Sequence, residues 1–379
     1  MINICVDGNH FFHKTFGVFA GYGNVDPGKV LAKKSDQAMF IRKVATDLCA
    51  SLKGLPTGGR LIFTMDSRSW RKEIEIENGG YKSNRVKDEN VDWTIFFDLM
   101  DEFGRQLEKQ GFIYSRVEGA EGDDLLYWWA KYFNNTGEDC IVISGDKDLH
   151  QVVNFNGNNW TITWNNNNKK NVVTSTIDWK ENWLLKEEVA SIFDMGSVIS
   201  SDREKMNTLV SKTELNEIDR VKFLMNKVFI GDEGDAVPSI WEIKSGSKTM
   251  RFSQKKSDAL IQAITESEDY TERDMCSILK NEEMLSWMAG FALRLMKDID
   301  SSDNRIKLVS NIKRNCKLMW LDESMFPESV ISGMSSEVER GISMQRKSIT
   351  LDRIKILDGT TWITPNYRPS SFDPFANFN

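Results

Sequence analysis

Acidic residues follow three short apolar runs of the sequence at the same relative place. Asp7 follows INICV, Asp66 follows LIFTM, and Asp146 follows CIVISG, with Asp148 two residues further on. If the runs are parallel strands, their carboxyl ends meet in one crevice, which is where ligands bind in open α/β sheets. A single Asp after a strand is more often a helix cap or a turn former. Several of them at one sheet edge predict a shared site.

A second acidic group stands where the loop after FIYSRV enters a predicted helix, and it consists of Glu121, Asp123 and Asp124. Glu121 and Asp124 share a helix face because they are three positions apart. Carboxylates gathered in this way raise one another's pKa values unless cations neutralise them. Magnesium takes a few carboxylates together with waters and phosphate oxygens, and a pair of such ions can activate a water against a phosphodiester. We therefore predict two Mg²⁺ ions, with Mn²⁺ able to substitute, and phosphodiester hydrolysis.

The elements that must position these acids alternate through residues 1 to about 175. Short β-branched runs are separated by amphipathic stretches at 36–53, 92–110 and 123–133. This is the rhythm of a parallel sheet covered by helices, so the predicted fold class is α/β. The runs WTITW and NVVTS on either side of NNNNKK predict a hairpin at the sheet edge. The alternative interpretation of the Asn run is a low-complexity segment.

The second half of the sequence is predicted to be mainly helical. Residues 182–230 have a helical pattern, GDEGDAVPS at 231–239 interrupts it with Gly and Pro, and a helical pattern returns from 250 to about 358. The closing stretch 359–379 is Pro-rich and aperiodic. We expect it to have no fixed structure alone.

Bulk composition excludes several classes of protein. The 379 residues are enough for two or three domains, and no apolar run reaches the length of a membrane-spanning helix. The sequence starts without a secretory signal pattern, so we expect a cytoplasmic protein with no membrane partner. The five Cys are widely spaced in apolar contexts, which indicates reduced core residues. The three His are too scattered for the usual zinc spacing.

Five motifs occur in a fixed order, and together they resemble one family. They are DGNHFFHK from Asp7, GGYKSNR ending at Arg85, EGDD at 121–124, SGDKDLHQ at 144–151 and GDEGD at 231–235. In this pattern the sequence resembles the 5′-nuclease family of flap endonucleases, polymerase-associated 5′-3′ exonucleases and, most closely, the RNase H of T-even phages. The resemblance covers residues 1 to about 260, and SGDKDL together with GDEGD is its most diagnostic part.

The resemblance implies a structure-specific 5′-nuclease, both 5′-3′ exonuclease and flap endonuclease with RNase H activity, that removes RNA primers and flaps in DNA replication. The implied fold is a PIN-like parallel sheet flanked by helices, with a helical arch, followed by a smaller helix-hairpin-helix-like DNA-binding domain. The implied partners are branched or nicked DNA and RNA·DNA duplex. The implied setting is a bacteriophage enzyme, expected to be a monomer, in the cytoplasm of its host.

The resemblance also assigns residues to the metal site. It implies that nine acids hold the two ions, the last two of them from the second domain: Asp7, Asp66, Glu121, Asp123, Asp124, Asp146, Asp148, Asp232 and Asp235. Setting these nine apart leaves 47 of the 56 Asp and Glu against 49 Lys and Arg. The net charge of −7 therefore does not argue against a nucleic-acid partner.

The segment 68–93 is similar to the helical arch that gates the 5′ strand in this family. Lys82 and Arg85 are the expected phosphate clamps, because their YKxNR setting resembles that of the family. Lys14 matches a position where many relatives have an Arg that reaches toward the same phosphate, and an ordinary exposed Lys is the alternative interpretation. Other side chains are expected to contact or stack on the strand: Arg71, Lys72, Tyr81, Lys87, Trp70 and Trp93.

The region after GDEGD departs from the family pattern. Relatives continue into a helix-hairpin-helix with a Gly-Ile-Gly-like turn, whereas AVPSIWEIKSGSKTMRFSQKK contains a single glycine, Gly246. Basic side chains remain that can contact duplex phosphates without reading sequence: Lys244, Lys248, Arg251, Lys255 and Lys256.

Three regions are predicted: a nuclease domain at 1–180, a duplex-binding domain at 181–300 and a helical extension at 301–379. The tail has three aromatic residues that are either a docking peptide for a sliding clamp or single-strand-binding protein, or chance aromatics of a frayed terminus: Phe372, Phe375 and Phe378. Two other functions stay open at this point. One is a PIN-type ribonuclease, which normally lacks an arch and a duplex-gripping domain, and the other is a non-catalytic module that binds branched DNA.

Overall fold

The computed structural model of the chain describes residues 1–21, 30–52, 55, 58–76, 79–85, 88–89, 91–155, 159–164, 172–174, 183–185, 217–245, 247–267 and 275–344. The chain divides into two units. The first combines Met1–Ser69, Lys87–Leu215 and Glu328–Asn379, and the second combines Trp70–Val86 and Asn216–Pro327. In the described part of the chain, no helix is both long enough and apolar enough to cross a membrane.

Within its described residues, the first unit contains one sheet with these strands: β1 (Ile2–Asp7), β2 (Leu61–Thr64), β3 (Ile113–Ser115), β4 (Asp139–Ile143), β5 (Asn154–Phe155), β6 (Trp160–Trp164), β7 (Val172–Thr174) and β8 (Trp183–Leu185). They lie in the order β3-β2-β1-β4-β6-β7-β8, and β5 pairs with β6. The neighbours β3, β2, β1, β4 and β6 are parallel, whereas β7 and β8 are antiparallel. The predicted α/β sheet is confirmed.

Helices connect the parallel strands, and a cluster of Phe rings fixes them against the sheet. These helices are α1 (Gly8–Gly21), α2 (Lys34–Leu52), α3 (Trp93–Lys109) and α4 (Gly122–Asn135). Phe12 of α1 is fully buried, and its ring centroid lies between 5.3 and 6.3 Å from those of four other rings: Phe40, Phe63, Phe96 and Phe103. Tilted and edge-to-face ring pairs stabilise a core beyond the area that they bury. This core therefore sets the helix positions from which the acidic loops extend.

The sheet beyond β6 shows where local sequence patterns succeed and fail. The predicted hairpin is confirmed, because Trp164 of β6 pairs with Val173 of β7 in antiparallel register. The helix predicted from residue 182 is wrong for Trp183–Leu185, which forms β8 against β7. That pairing is a tertiary contact, and helical periodicity within a short segment does not report it. Residues 186–216 of the same prediction lie outside the described residues.

Within its described residues, the second unit is mainly helical and also contains a β-hairpin. Its elements are α5 (Glu217–Ile230), β9 (Glu242–Ser245), β10 (Lys248–Arg251), α6 (Gln254–Thr265), α7 (Met275–Lys280), α8 (Glu282–Met296) and α9 (Ser302–Met319). Between α5 and α6, where the sequence lacks the Gly-Ile-Gly-like turn, lies the antiparallel pair β9 and β10, in which Lys244 lies opposite Thr249. The Gly-Ser pair at 246–247 between the two strands favours a tight reversal of this kind. Buried Asn315 of α9 joins α5 to the loop after it, because its side-chain amide donates to the carbonyls of Val228 and Pro238 at 2.8 and 2.9 Å.

The unit boundaries at 69/70, 86/87, 215/216 and 327/328 differ from the predicted domain boundaries at 180/181 and 300/301. Trp70–Val86, which contains most of the predicted arch, belongs to the second unit. Its described residues form a 3-10 helix at Trp70–Glu73 and a turn at 81–84, so a helical arch is not seen in the described part of this segment. Beyond Pro327 the chain returns to the first unit as α10 (Glu328–Ser343). There Arg340 donates to the carbonyl of Tyr114 in the edge strand β3 at 2.7 Å.

Candidate active site

Three acids predicted from the sequence lie at the carboxyl edge of the parallel strands. Asp7 is the last residue of β1, Asp66 stands two residues after β2, and Asp146 stands three residues after β4. The strands β2, β1 and β4 are neighbours and run in the same direction. The structure therefore places these acids at one edge of the sheet.

Ser144 joins the acids of β1 and β4. Asp7 is buried, and its Oδ1 accepts a hydrogen bond from the backbone N–H of His10 at 2.9 Å. Its Oδ2 accepts from the Ser144 hydroxyl at 2.7 Å. The same hydroxyl oxygen accepts from the backbone N–H of Asp146 at 3.0 Å, and Asp146 Oδ1 accepts from the N–H of Asp148 at 2.9 Å. The loop after β4 is thus fixed against Asp7 by a chain of hydrogen bonds.

Backbone groups of neighbouring elements hold Asp66. Its Oδ1 accepts from the backbone N–H of Gly122, the first residue of α4, at 2.6 Å. Its own N–H donates to the side-chain carbonyl of Asn9 in α1 at 3.1 Å. A Cβ at position 122 would lie 3.0 Å from this carboxylate oxygen, so a glycine suits the close approach. The end of β2 is therefore fixed between the starts of α1 and α4.

The acids at the start of α4 divide into buried and partly exposed side chains. Asp124 is fully buried and Glu121 is buried, and Asp124 Oδ2 accepts from the backbone N–H of Glu121 at 3.0 Å. This contact caps the first turn of the helix, where N–H groups lack partners. Asp123 is partly exposed. Asp124 therefore has a structural contact besides the predicted metal role.

Burial sets the protonation of the groups around this edge. The pKa of the Asp7 carboxyl is raised by burial, and Asp146 raises it further, while His10 and the Ser144 hydrogen bond act in the opposite direction. Burial lowers the pKa of His150, in the 3-10 helix Asp148–Val152, to about 4, although Asp146 opposes the shift. The imidazole nearest Asp146 in sequence is therefore neutral at pH 7. A bound cation would favour the ionised form of Asp7.

The donor chemistry of this edge suits a hard divalent cation. Carboxylate oxygens are what Mg²⁺ and Mn²⁺ prefer, and Asp7, Asp66 and Asp146 supply them from one side of the sheet. Among the described residues, however, no group of three or more His, Cys, Asp or Glu side chains is already arranged to hold a metal ion. The residue types fit the predicted cation, and the assignment of individual ligands stays a prediction.

The two acids predicted from the second domain have cationic partners in the second unit. Asp232 Oδ2 lies 3.1 Å from the ammonium of Lys227, and its Oδ1 accepts from the N–H of Gly234 at 2.8 Å. Burial alone would raise the pKa of Asp232, but Lys227 and the backbone N–H donors outweigh it and lower the pKa. Asp235 Oδ1 lies 2.5 Å from the guanidinium of Arg85. These acids are therefore compensated by side chains of their own unit.

Three predicted strand contacts are buried and have packing roles. Arg71 is 2% exposed, and its Nε donates to the carbonyl of Leu318 at 3.0 Å. Tyr81 is 6% exposed, and its hydroxyl donates to Asp235 Oδ2 at 3.1 Å. Trp70 is also buried, with its ring edge-on to Phe326. In the second unit these side chains fix the segment after residue 69.

The remaining basic residues differ in exposure. Lys14 is half-buried, and burial lowers its pKa while Asp47 opposes the shift. Arg251 forms ion pairs with Glu233 and Glu242 at 2.6 and 3.1 Å. Exposed or half-exposed cations are found at Lys72, Lys82, Lys248, Lys255 and Lys256. Lys87 and the side chain of Lys244 lie outside the described residues.

Sequence reasoning missed three residues that hold the acids in place. Ser144, Asn9 and Gly122 each make a hydrogen bond to an acidic residue of the site or to its backbone. All three stand inside the quoted motifs SGDKDLHQ, DGNHFFHK and EGDD. Their position next to charged ligand candidates was the signal available, but the direction of each hydrogen bond follows only from the structure.

Comparisons with known proteins find similar sequences for the first part of the chain. Residues 3–183 match the family model described as the 5′-3′ exonuclease N-terminal resolvase-like domain. The chain is 26% identical to DNA polymerase I of Rhizobium leguminosarum over 155 residues, and 26% identical to the thermostable DNA polymerase I of Thermus aquaticus over 154 residues. Each match covers 40% of this chain but only 14% and 16% of the respective polymerase, so the chain spans about one-sixth of these relatives.

A solved structure of the zinc-bound 5′-exonuclease of bacteriophage T5 is similar over 90% of this chain and 100% of that chain, at 14% identity and a TM-score of 0.48. The family match at 3–183 includes the sheet edge with Asp7, Asp66 and Asp146. This match places residues 3–183, nearly half of the chain, in the family of 5′-3′ exonuclease N-terminal resolvase-like domains.

Proposed function

We propose that the protein is a divalent-metal-dependent, structure-specific 5′-nuclease that hydrolyses phosphodiesters at the 5′ ends and junctions of branched or nicked DNA. One observation carries the proposal. Asp7, Asp66 and Asp146 lie at one edge of a parallel sheet whose sequence matches the 5′-3′ exonuclease domain. Hard oxygen donors at that edge suit the metal-assisted hydrolysis of a phosphodiester.

The residues of the chain supply ligands, orientation and charge. The acids that would hold two Mg²⁺ or Mn²⁺ ions in the first unit are Asp7, Asp66, Glu121, Asp123, Asp124, Asp146 and Asp148. When bound, such ions lower the pKa of a water and stabilise the leaving oxygen. Ser144 holds the loop of Asp146 against Asp7, and the N–H of Gly122 orients Asp66. Precise orientation of this kind contributes strongly to catalysis.

Basic residues of the second unit would contact the nucleic acid. Lys82 and Arg85 are the proposed contacts to the scissile strand, and Lys248, Lys255 and Lys256 to the duplex. Phosphate contacts position a protein without reading sequence, so recognition would depend on shape. Such contacts also accept an RNA·DNA hybrid, because they do not report sugar identity. RNase H activity and the removal of RNA primers and flaps in replication are therefore part of the proposal.

Several predictions about partners and setting remain to be tested. The proposed docking of a sliding clamp or single-strand-binding protein depends on the tail 359–379, which lies outside the described residues. A monomeric state and a place in the cytoplasm of a phage-infected host also stay predictions.

A cleavage panel tests the proposal directly. Labelled 5′-flap, nicked, blunt and RNA-primed duplexes are incubated with the full chain in Mg²⁺, in Mn²⁺ and in a chelator. We expect metal-dependent products from the 5′ ends of flap and nicked substrates, and none in the chelator. Absence of cleavage on every substrate in both metals would reject the proposed activity.

The variant Asp146→Asn tests whether the acids at the sheet edge are needed for cleavage. Cleavage under single-turnover conditions should fall by about a thousandfold or more, because a neutral amide replaces a charged ligand candidate. Binding of the flap duplex should stay within about threefold, since phosphate contacts dominate affinity. The control is Asp303→Asn, which changes an exposed acid of α9. A variant at position 146 that cuts as fast as the control would contradict the assignment.

A further inference from the structure

The GDEGD loop at 231–235 is tightly closed within the second unit. The N–H and carbonyl of Asp232 both pair with those of Val237, at 2.9 and 2.8 Å. Gly231 has φ +85°, and a Cβ there would lie 2.4 Å from the carbonyl oxygen of Val237. Glycine is therefore required at the start of the loop. The closure holds the backbone of the loop in a defined conformation.

Asp235 collects contacts from three residues of the turn 81–85. Its Oδ2 accepts from the Tyr81 hydroxyl at 3.1 Å, and its Oδ1 accepts from the Arg85 guanidinium at 2.5 Å. Its backbone carbonyl accepts from the N–H of Lys82 at 2.8 Å. The neighbouring carbonyl of Glu233 accepts from the side-chain amide of Asn84. One end of the loop therefore organises the whole turn.

The conformation of Lys82 depends on this contact. Its φ is +59°, in the left-handed region that residues other than glycine rarely adopt. Such a conformation persists where the surrounding structure fixes it, and here the hydrogen bond to Asp235 does so. The ammonium of Lys82 lies 4.8 Å from the ring centroid of Tyr81, a cation–π arrangement. Tyr81 is in turn buried with Val237 and Leu318. Asp235 thus holds Lys82 through its backbone and through the Tyr81 ring.

These contacts of Asp235 disfavour its direct binding to a metal ion. Both carboxylate oxygens of Asp235 already accept hydrogen bonds, one of them from a guanidinium. Each oxygen has a second lone pair, but the guanidinium of Arg85 already offsets the charge of Asp235 and would repel an ion bound to the same carboxylate, so direct ligation would compete with Arg85. Asp232 has a comparable setting, because Lys227 and the N–H of Gly234 occupy its two oxygens.

We propose that Asp235 is a positioning residue for the turn 81–85 and acts through Lys82, instead of serving as a metal ligand. This inference rests on the proposed nuclease function, in which Lys82 contacts the scissile strand. Its structural part, the dependence of Lys82 on Asp235, is testable without any activity. A failure of the proposed function and a failure of this inference are therefore distinguishable.

The first experiment measures kinetics of the full chain on a 5′-flap duplex. Asp235→Asn should lower kcat about ten- to a hundredfold with KM within about twofold, because a displaced contact slows the reaction more than it weakens docking. In a Lys82→Ala background, adding Asp235→Asn should cost clearly less than it does in the wild type, because only the part of its effect that passes through Arg85 remains and residues that act through one another are not additive. Glu233→Gln is the matched control, because its exposed side chain contacts Arg251 and not the turn. Multiplicative losses in the double variant would overturn the proposal.

The second experiment uses protein without nucleic acid. Mn²⁺ binding, followed by electron paramagnetic resonance, should be the same within about twofold in Asp235→Asn and wild type, since the first-unit acids are unchanged. Amide hydrogen exchange at Lys82 should be about tenfold faster, because weaker side-chain contacts of residue 235 with Tyr81 and Arg85 let the backbone hydrogen bond of Lys82 open more often. Weaker Mn²⁺ binding with unchanged exchange at Lys82 would show a metal ligand and overturn the proposal.

A milder variant covers the case in which Asp235→Asn does not fold. Tyr81→Phe removes one hydroxyl and leaves the Arg85 contact, and its fold is checked by circular dichroism. Exchange at Lys82 should quicken and kcat should fall, both by less than in Asp235→Asn. If Tyr81→Phe leaves both quantities at the wild-type value, the proposal is wrong. If the wild type cuts no substrate, Mn²⁺ binding and amide exchange still decide the role of Asp235.

Discussion

The acids of the two units are held by different kinds of partner. In the first unit, buried Asp7 accepts from a backbone N–H and from the hydroxyl of Ser144, and burial raises its pKa. In the second unit, Asp232 pairs with Lys227, and Asp235 pairs with Arg85. His10 opposes the shift, but burial outweighs it and the pKa of Asp7 stays raised, so an added cation would favour the ionised carboxylate. Side-chain cations already offset the charges of the GDEGD loop.

This difference shows that an acidic motif alone does not indicate a metal site. A buried carboxylate that is held by neutral donors favours a cation, because its ionised form is poorly solvated. A carboxylate that is paired with Lys or Arg is already stabilised, and a cation must compete with that partner. The two settings therefore predict different responses to pH, to loss of a hydrogen bond and to loss of an ion pair.

The largest of the expected effects concerns His150, which stays neutral beside the first-unit acids. Its pKa is lowered to about 4 by burial, so the unfolded chain, with a pKa near 6.5, takes up the proton first. The loss of folding stability that results from keeping His150 neutral is absent above about pH 6.5. It grows as the pH falls toward 4 and reaches roughly 3 kcal/mol. The unfolding free energy of wild type should fall by this amount relative to His150→Gln over that range. Denaturant titrations at each pH measure it.

The ring of His150 provides an independent check. Its NMR shifts should stay constant from pH 8 to about pH 5 in the native protein, and should titrate near 6.5 in urea. A native ring that titrates near 6.5 would place a cation beside Asp146 at mildly acidic pH. The contrast between the two units would then be wrong.

A smaller effect is expected from Ser144→Ala, which removes the hydroxyl shared by Asp7 and the loop of Asp146. Hydrogen-bond partners of metal ligands typically contribute about ten- to a hundredfold in metal affinity. Mn²⁺ binding, measured by titration, should therefore weaken by that factor. The control is Ser310→Ala on the exposed face of α9. Equal Mn²⁺ affinity in both variants would separate Ser144 from the metal site.

Local patterns predicted the sheet edge because its determinants are local. The apolar runs of β1, β2 and β4 predict parallel strands, and parallel strands bring the acids that follow them together. The partner of Asp235 was not predictable in this way, because Arg85 is 150 positions away and a basic residue in YKSNR suits a phosphate equally well. The prediction for Trp183–Leu185 was wrong for the same reason, since only the pairing of this strand with β7 distinguishes it from a helix.

The smallest expected effect is the loss of one ion pair of the second unit. In Lys227→Met, Asp232 loses the cation that lies 3.1 Å away, and both side chains are mostly buried, at 21% and 28% exposure. The unfolding free energy at pH 7 should fall by about 1 kcal/mol.

The pKa of Asp232 is lowered in the folded protein, so its stabilisation is present above the unfolded pKa of about 4 and is lost as the pH falls through the folded pKa. The difference between wild type and variant should therefore start to shrink below about pH 4 and disappear below the folded pKa of Asp232, whereas the control Lys255→Met should match wild type at every pH. A difference that persists in acid would mean that Lys227 stabilises the unit through packing and not through its charge. The contrast between the GDEGD loop and the first-unit acids would then not rest on ion pairs.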